Sequence, residues 1–246
     1  MLDLFSMWRN PKMIVFIVLT AVLYVASLYP LQGLTLFGGY ADFGRIGVAV
    51  PVAFSFLFGP AVAWGAAIGN VLTDVAVQHV DVSSVFGFAG NLLLGYIPYK
   101  LWSAVTVDEP DLRSLRKVSL FVGVAVLACV ICGLVIGWGL YWLGLTSFMP
   151  TSAIIAVTNA LWAVIAGSIL LAFTYKFFSK RKLLYSNILN IEQPQVNWTK
   201  TRSLSTMVLI VSIACCFLVG VAFEVGPIGL LLLVALSLGG LMITIK

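Results

Sequence analysis

The chain has 246 residues, of which 61% are apolar and only 9% are charged. Soluble domains carry about 25% charged residues, and a mean hydropathy of +1.10 excludes a soluble fold because the surface of such a fold needs far more polar side chains. The net charge of +5 does not indicate nucleic-acid binding, since nearly all the cations lie at the ends of apolar runs. The composition predicts an all-α polytopic protein of the lipid bilayer.

Long apolar runs predict about eight transmembrane helices. They cover about residues 13–29, 45–58, 61–78, 84–103, 118–143, 151–173, 204–223 and 227–245. The second run is short for a hydrocarbon core of about 30 Å. Irregular backbone at that depth is tolerated only beside protein or a water-filled cavity. The sequence therefore predicts a cavity near residues 38–50.

The distribution of Lys and Arg predicts the orientation. With the N-terminus inside, every Lys and Arg except Arg45 lies in an inside segment or at the C-terminal end. Short cytoplasmic loops carry such an excess of cations, so both termini are predicted to be cytoplasmic in a multi-pass protein of the plasma membrane. We expect a six-helix bundle over 1–178, a basic cytoplasmic linker over 179–203 and a transmembrane hairpin over 204–246.

Small residues recur at a helical spacing on three of the predicted helices. They are Ala61, Gly65 and Gly69 on the third, Gly133 and Gly137 on the fifth, and Ala156, Ala160, Ala163 and Gly167 on the sixth. Small residues at this spacing let helix backbones approach closely in lipid, where there is no hydrophobic driving force between helices. The pattern predicts packing within the bundle, with a docking face for a partner subunit as the alternative.

Arg45 stands apart from the other cations, at the predicted outer end of the second helix. The preference for cations on the inside does not account for a cation there. One interpretation is a structural ion pair with Asp42, three residues earlier. The other is that Arg45 meets an anionic or polar ligand from the outside.

Further polar residues fall within the predicted spans. Asn70, Asp74 and Gln78 are spaced by four and share one face of the third helix. An intramembrane carboxylate indicates function, although Asp74 could instead pair within the bundle with Arg45 or Asn91. Asn91 and Asn159 are amides that either bridge helices or bind a ligand.

No motif for catalysis or for a cofactor occurs in the sequence. HExxH, GxSxG and P-loop patterns are absent, so the chain is predicted to be no enzyme and to hydrolyse no ATP by itself. Cys129 and Cys132 lie in one apolar run, and Cys215 and Cys216 lie in another. They are interpreted as buried small residues rather than metal ligands.

A group of short motifs carries a resemblance to a known family. The motifs are RIGVAVP at 45–51, FLFGP at 56–60, GAAIGN at 65–70 with Asp74, and VFG at 85–87 with Asn91 and Tyr96. The chain resembles the membrane-embedded S components of energy-coupling factor (ECF) vitamin transporters, in the queuosine-precursor branch. Over about residues 12–178, the resemblance implies a six-helix binder that takes up a vitamin or nucleobase-like precursor from outside.

The resemblance also implies partners and a binding site. The partners are a transmembrane coupling subunit and two ATPase subunits, and the pocket positions are Arg45, Asn70, Asp74 and Asn91. The family's first helix usually presents an AxxxA docking face, whereas here Ala21 and Ala26 are five apart. The last two predicted helices are additional to the six of the family.

Two other functions stay open at this point. The small-residue faces and the extra hairpin are also typical of an accessory or structural subunit in a larger membrane complex. A stand-alone secondary transporter is the third possibility, with Asp74 as its proton- or ion-coupled group.

Overall fold

The computed structural model describes residues 2–31 and 45–190. Most of these residues are helical, and none of them lies in a strand. The helices are α1 (Leu2–Ser6), α2 (Pro11–Leu28), α3 (Ala49–Phe58), α4 (Pro60–Ala76), α5 (Ser83–Val105), α6 (Leu115–Trp142), α7 (Phe148–Lys180) and α8 (Tyr185–Ile188). Short 3-10 turns cover Met7–Arg9, Tyr29–Leu31 and Arg45–Val48.

Six predicted spans, from 13–29 to 151–173, correspond to α2–α7. Three stretches are long and apolar enough to cross a membrane: Pro11–Leu28, Leu115–Trp142 and Phe148–Ile188. Arg45–Phe58 is apolar but shorter. The predicted hairpin over 204–246 lies outside the described residues, so the count of eight spans stays a prediction, as does the orientation.

Local sequence signals account for several helix ends. Asn10 caps α2 by accepting a hydrogen bond from the Lys12 backbone N–H at 3.0 Å, and a proline follows at the first helical position. Ser114 caps α6 in the same way, since its hydroxyl accepts a hydrogen bond from the Lys117 backbone N–H at 3.3 Å. Gly59 has a φ of 53°, which lets the chain reverse between α3 and α4.

The helices run alternately between two ends of the bundle. At the Arg45 end, α2, α4 and α6 finish, and α5, α7 and the turn before α3 begin. We call the opposite end, where α3 turns into α4, the Tyr185 end, because the Tyr185 ring covers Gly59 there. A Cβ placed on Gly59 would lie 2.7 Å from that ring.

The small-residue faces pack inside the bundle, which confirms the intramolecular interpretation. A Cβ on Gly65 would lie 2.8 Å from the Ile17 carbonyl oxygen, and one on Gly69 would lie 3.1 Å from that of Ala21. α2 and α4 are therefore in backbone contact. Ala21 is buried by this packing while Ala26 is exposed, so the two alanines do not share a docking face.

Ser55 on α3 completes the backbone of α5 around Pro98. A proline inside a helix removes one hydrogen bond and its ring disturbs the turn before it. The Ser55 hydroxyl accepts from the Tyr99 backbone N–H at 3.1 Å and donates to the Gly95 carbonyl at 2.7 Å. A side chain of the neighbouring helix thus occupies the place of a backbone hydrogen bond in α5.

α1 lies at the Tyr185 end and is fastened by polar contacts. The Trp64 indole N–H donates to the Leu4 carbonyl at 2.8 Å, and Lys100 forms an ion pair with Asp3 at 2.7 Å. Burial raises the pKa of the Asp3 carboxyl, but the hydrogen bond and charge of Lys100, together with the hydrogen bond from Tyr99, outweigh it, so that this pKa lies below its usual range. Trp64 therefore anchors the N-terminal helix.

We expect Gly65→Ala to destabilise the fold and Gly123→Ala to leave it intact. The new methyl group at residue 65 would lie 2.6 Å from the Thr20 Cβ, whereas at residue 123 it would meet nothing within 4 Å. Overpacking of this kind costs about 1–3 kcal/mol. Thermal unfolding in mild detergent measures the difference, and equal midpoints for the two variants would contradict the close approach of α2 and α4.

We expect Ser55→Ala to be destabilising and Pro98→Ala to rescue it. Without the hydroxyl, the Gly95 carbonyl and Tyr99 N–H are left buried and unpaired, at about 1–3 kcal/mol each. With alanine at residue 98, the ordinary helical bond between those two groups can form. Unfolding midpoints of the two single variants and the double variant test this; purely additive effects would refute the bridging role.

Candidate functional site

The predicted site residues lie in the half of the bundle nearer the Arg45 end. Arg45 opens the 3-10 turn before α3, Asn70 and Asp74 are on the last turns of α4, and Asn91 is on α5. Asn159 is three turns into α7. Four of the five belong to one polar cluster.

A directional chain of hydrogen bonds joins α2, α5 and α4. The Tyr24 hydroxyl donates to Asn91 Oδ1 at 2.6 Å, and Asn91 Nδ2 donates to Asn70 Oδ1 at 2.9 Å. Asn70 Nδ2 then donates to Asp74 Oδ2 at 3.3 Å. Tyr24 and Asn91 are almost completely buried, while Asp74 is half-buried. The chain therefore leads from the packed interior to a partly accessible carboxylate.

The hydrogen-bonding capacity of these side chains separates their roles. Asn91 Nδ2 also donates to the Gly87 carbonyl at 2.8 Å, so both of its N–H groups and its oxygen are in use. Asn91 is a positioning residue in this arrangement. Asp74 can accept further hydrogen bonds beyond the one from Asn70. Among the hydrogen-bonded side chains from Tyr24 to Asp74, it is the one best placed to bind a ligand.

Glycines make room for this network. A Cβ on Gly87 would lie 2.7 Å from Asn70 Nδ2, and a Cβ on Gly69 would lie 3.1 Å from the Tyr24 ring. Any larger residue at either position would displace a member of the chain. The same close helix contacts that build the bundle thus bring the polar groups within hydrogen-bonding distance.

Arg45 adds a positive charge to the cluster. It is half-buried, and its charge acts on Tyr24, Asp74 and Cys132. No carboxylate in the described ranges lies within 4.0 Å of it, and Asp42, its predicted partner, lies outside them. Between Arg45 and the Gly59 turn, the chain has four residues of 3-10 helix and ten residues of α-helix, which together span about 23 Å. This length is shorter than the thickness of the hydrocarbon core, which is ~30 Å.

The structure revises the expectation for Gln78. α4 ends at Ala76, and Gln78 is exposed with a φ of 57°, so Gln78 does not share the helical face of Asn70 and Asp74. The His79 backbone N–H donates to the Asp74 carbonyl at 2.8 Å, and Gln78, in the left-handed conformation, ends α4. Sequence spacing did not show this early termination.

Asn159 lies apart from the hydrogen-bonded chain, at the contact of α6 and α7. Its Nδ2 donates to the Cys132 sulfur at 3.9 Å, and its Oδ1, in a side chain that is 1% exposed, has no partner. Cys129 and Cys132 are buried free thiols, as predicted from the sequence. Within the described residues, no group of three His, Cys, Asp or Glu side chains can hold a metal ion.

Sequence reasoning missed Tyr24 and Gly87. Tyr24 carried a readable signal, since a tyrosine inside an apolar run needs a hydrogen-bond partner for its hydroxyl. Gly87 belongs to the VFG motif at 85–87, but the motif does not reveal its role, because that role depends on how closely α5 approaches Asn70. The helical bundle and the buried polar cluster together define an integral membrane protein with a candidate small-molecule site at one end.

Comparison with known proteins identifies the family. The model of the QueT transporter family matches residues 14–176, about two-thirds of the chain. The chain therefore belongs to the QueT family of ECF transporter S components, multi-pass membrane proteins with a role in substrate binding and uptake. No curated protein and no solved structure matches the chain.

We expect Tyr24→Phe to destabilise the protein by about 1–3 kcal/mol, because Asn91 Oδ1 loses its buried donor. Tyr29→Phe is the control, since Tyr29 is 52% exposed. The unfolding midpoint in detergent should fall by about 2–4 °C per kcal/mol in the first variant and stay unchanged in the second. An unchanged midpoint for Tyr24→Phe would contradict a structural role for the hydrogen-bond network of Tyr24, Asn91, Asn70 and Asp74.

Proposed function

We propose that the chain binds a small polar heterocycle, a vitamin or nucleobase-like precursor, at the Arg45 end of the bundle. The buried hydrogen-bonded chain from Tyr24 to Asp74 is the observation that carries this proposal. Polar groups at membrane depth are costly and mark substrate pathways and binding sites. Membership of the QueT family supports the same function.

The chemistry of the two charged residues indicates the kind of ligand. Arg45 offers up to five N–H donors and no acceptor, while the Asp74 carboxylate offers acceptors only. A heterocycle with a carbonyl or anionic group beside a ring N–H can satisfy both residues. Asn70 and Asn91 position the carboxylate, and Asn159, which lies apart from them on α7, is proposed as a further ligand contact through its unpaired Oδ1.

The distribution of cations supports binding from outside the cell. Among the described Lys and Arg residues, Arg45 alone lies at the Arg45 end, so a cytoplasmic Tyr185 end agrees with the preference for cations inside. We place the protein in the plasma membrane with both termini cytoplasmic. The proposed layout is a binding bundle over 1–178, a linker over 179–203 and a hairpin over 204–246.

Transport is proposed to depend on other subunits. The sequence has no P-loop, and the resemblance to ECF S components implies a transmembrane coupling subunit and two ATPase subunits as partners. The chain would then supply substrate recognition, and its partners would supply the energy of ATP hydrolysis. Co-purification from the native host tests for these partners directly.

We expect Asp74→Asn to lose bound ligand and Asp81→Asn to keep it. Asp81 is an exposed carboxylate in the loop after α4, so the control makes the same change of charge. A hydrogen bond to a charged group contributes about 1.5–3 kcal/mol, which corresponds to about 10- to 100-fold in affinity. The measurement is mass spectrometry of small molecules retained by each protein purified from its own host.

A stoichiometric heterocycle with the wild type and with Asp81→Asn, but not with Asp74→Asn, supports the proposed site. Retention of the heterocycle by the Asp74 variant would show that the binding site lies elsewhere in the protein. Absence of any small molecule together with a fixed set of other membrane proteins would favour the accessory-subunit interpretation.

A further inference from the structure

The cations at the Tyr185 end fall into two groups with different surroundings. Four of them each lie within 4.0 Å of a carboxylate: Lys100 of Asp3, Arg116 of Asp108, and both Arg113 and Lys117 of Asp111. Six others have no carboxylate within that distance among the described residues: Arg9, Lys12, Lys176, Lys180, Arg181 and Lys182. We call these six residues the basic corner.

The basic corner forms where the start of α2 meets the end of α7. Phe16, one turn after Lys12, packs edge-on against Phe178 with ring centroids 6.4 Å apart. The Asn10 amide, next to Arg9, donates to the Ile188 carbonyl at 3.5 Å, beyond the turn that holds Lys182. Cations that are far apart in sequence are therefore brought to one side of the Tyr185 end.

All six side chains of the basic corner are exposed, and aromatic rings accompany them. On α7, Phe173, Lys176, Phe177 and Lys180 follow the helical spacing of one face, and all four are exposed. Phe173 is 81% exposed and Phe177 is 49% exposed, and the Arg181 guanidinium lies 3.7 Å from the Phe177 ring centroid. Trp8, beside Arg9, is also exposed.

We propose that the basic corner binds the headgroup of an anionic phospholipid. Lys and Arg beside exposed aromatic rings are typical of the boundary between hydrocarbon and headgroups, where rings lie in the interface and cations reach phosphate. Three local carboxylates pair with the other four cations, whereas no carboxylate among the described residues lies within 4.0 Å of the corner. The orientation in the membrane explains why cations lie at this end. It does not explain why, among the described residues, four of these cations are paired with carboxylates and six are not.

A lipid fits this surface better than a soluble anion does. The cations are spread over the edge of the bundle rather than directed into a closed cradle, and the apolar rings between them require a partner with its own apolar part. An anionic lipid supplies both a phosphate for the cations and acyl chains for Phe173 and Phe177. It would hold the ends of α2 and α7 together from the membrane side.

The test is a lipid titration of the full-length protein in mild detergent, followed by native mass spectrometry. The probes are dioleoylphosphatidylglycerol, which is anionic, and dioleoylphosphatidylcholine, which is zwitterionic. We expect the wild type to bind the anionic lipid at least about tenfold more tightly. This preference should largely vanish when salt rises from about 0.05 M to about 1 M, where the Debye length is only ~3 Å.

Matched variants localise the effect. Lys12→Gln combined with Lys180→Gln removes one cation from each helix, and we expect roughly fivefold weaker binding for each lost cation, or more than tenfold together. Arg113→Gln combined with Arg116→Gln removes the same charge from exposed, paired residues and should change binding less than twofold. Lys12→Arg with Lys180→Arg should retain binding.

Three outcomes would overturn the proposal. The first is equal affinity of the wild type for the two lipids. The second is an equal loss in the Arg113/Arg116 variant, which would show a general effect of net charge. The third is displacement of the anionic lipid by millimolar inorganic phosphate, which would show a soluble-anion site. Should the Gln pair fail to fold, the lipid preference of the wild type and of the charge-retaining Arg pair decides.

Discussion

The close approach of α2, α4 and α5 is the constraint on which the rest of the structure depends. In lipid, helices gain little from burying apolar surface against each other, so contact requires small residues at the interface. Gly65 and Gly69 bring α4 against the backbone of α2, and a Cβ on Gly95 would lie 2.7 Å from the Val62 carbonyl on α4. These contacts fix the distance and the register between the three helices that carry the polar chain.

The polar chain follows from that register. Gly69 precedes Asn70 and leaves space for the Tyr24 ring, while Gly87 leaves space for the Asn70 amide and offers its carbonyl to Asn91. Each polar group is thereby paired at a depth where an unpaired one would be costly. The packing of the helices and the hydrogen bonds between their polar side chains therefore depend on each other, because a change in either would displace the other.

Much of the bundle could be predicted from the sequence, and the reason is physical. The bilayer forces each span to satisfy its own backbone, so apolar runs locate helices well. Helix ends were less predictable: α7 extends to Lys180 although the predicted span ends at about 173, because a helix can continue beyond the apolar run that the sequence pattern locates. The cluster of Arg45, Asn70, Asp74 and Asn91 was predictable as polar residues inside apolar runs. The connections between its members, and the isolation of Asn159, depend on helix rotation that spacing alone does not give.

The two ends of the bundle differ in a way that bears on the direction of access. Toward the Tyr185 end, Phe16 stacks on Phe58 at 3.9 Å, and Phe178 packs edge-on against Phe58 at 4.8 Å. Phe58 is completely buried, so this aromatic cluster closes the bundle beneath the polar chain. Toward the Arg45 end, the 3-10 turn before α3 stops short of the membrane thickness, and Asp74 and Arg45 are only half-buried. A ligand bound at the polar chain would therefore enter from the Arg45 end, and its release at the opposite end would require the aromatic packing to open or the whole bundle to move. A bundle that is closed at one end and more open at the other agrees with the role in substrate binding and uptake that the family indicates.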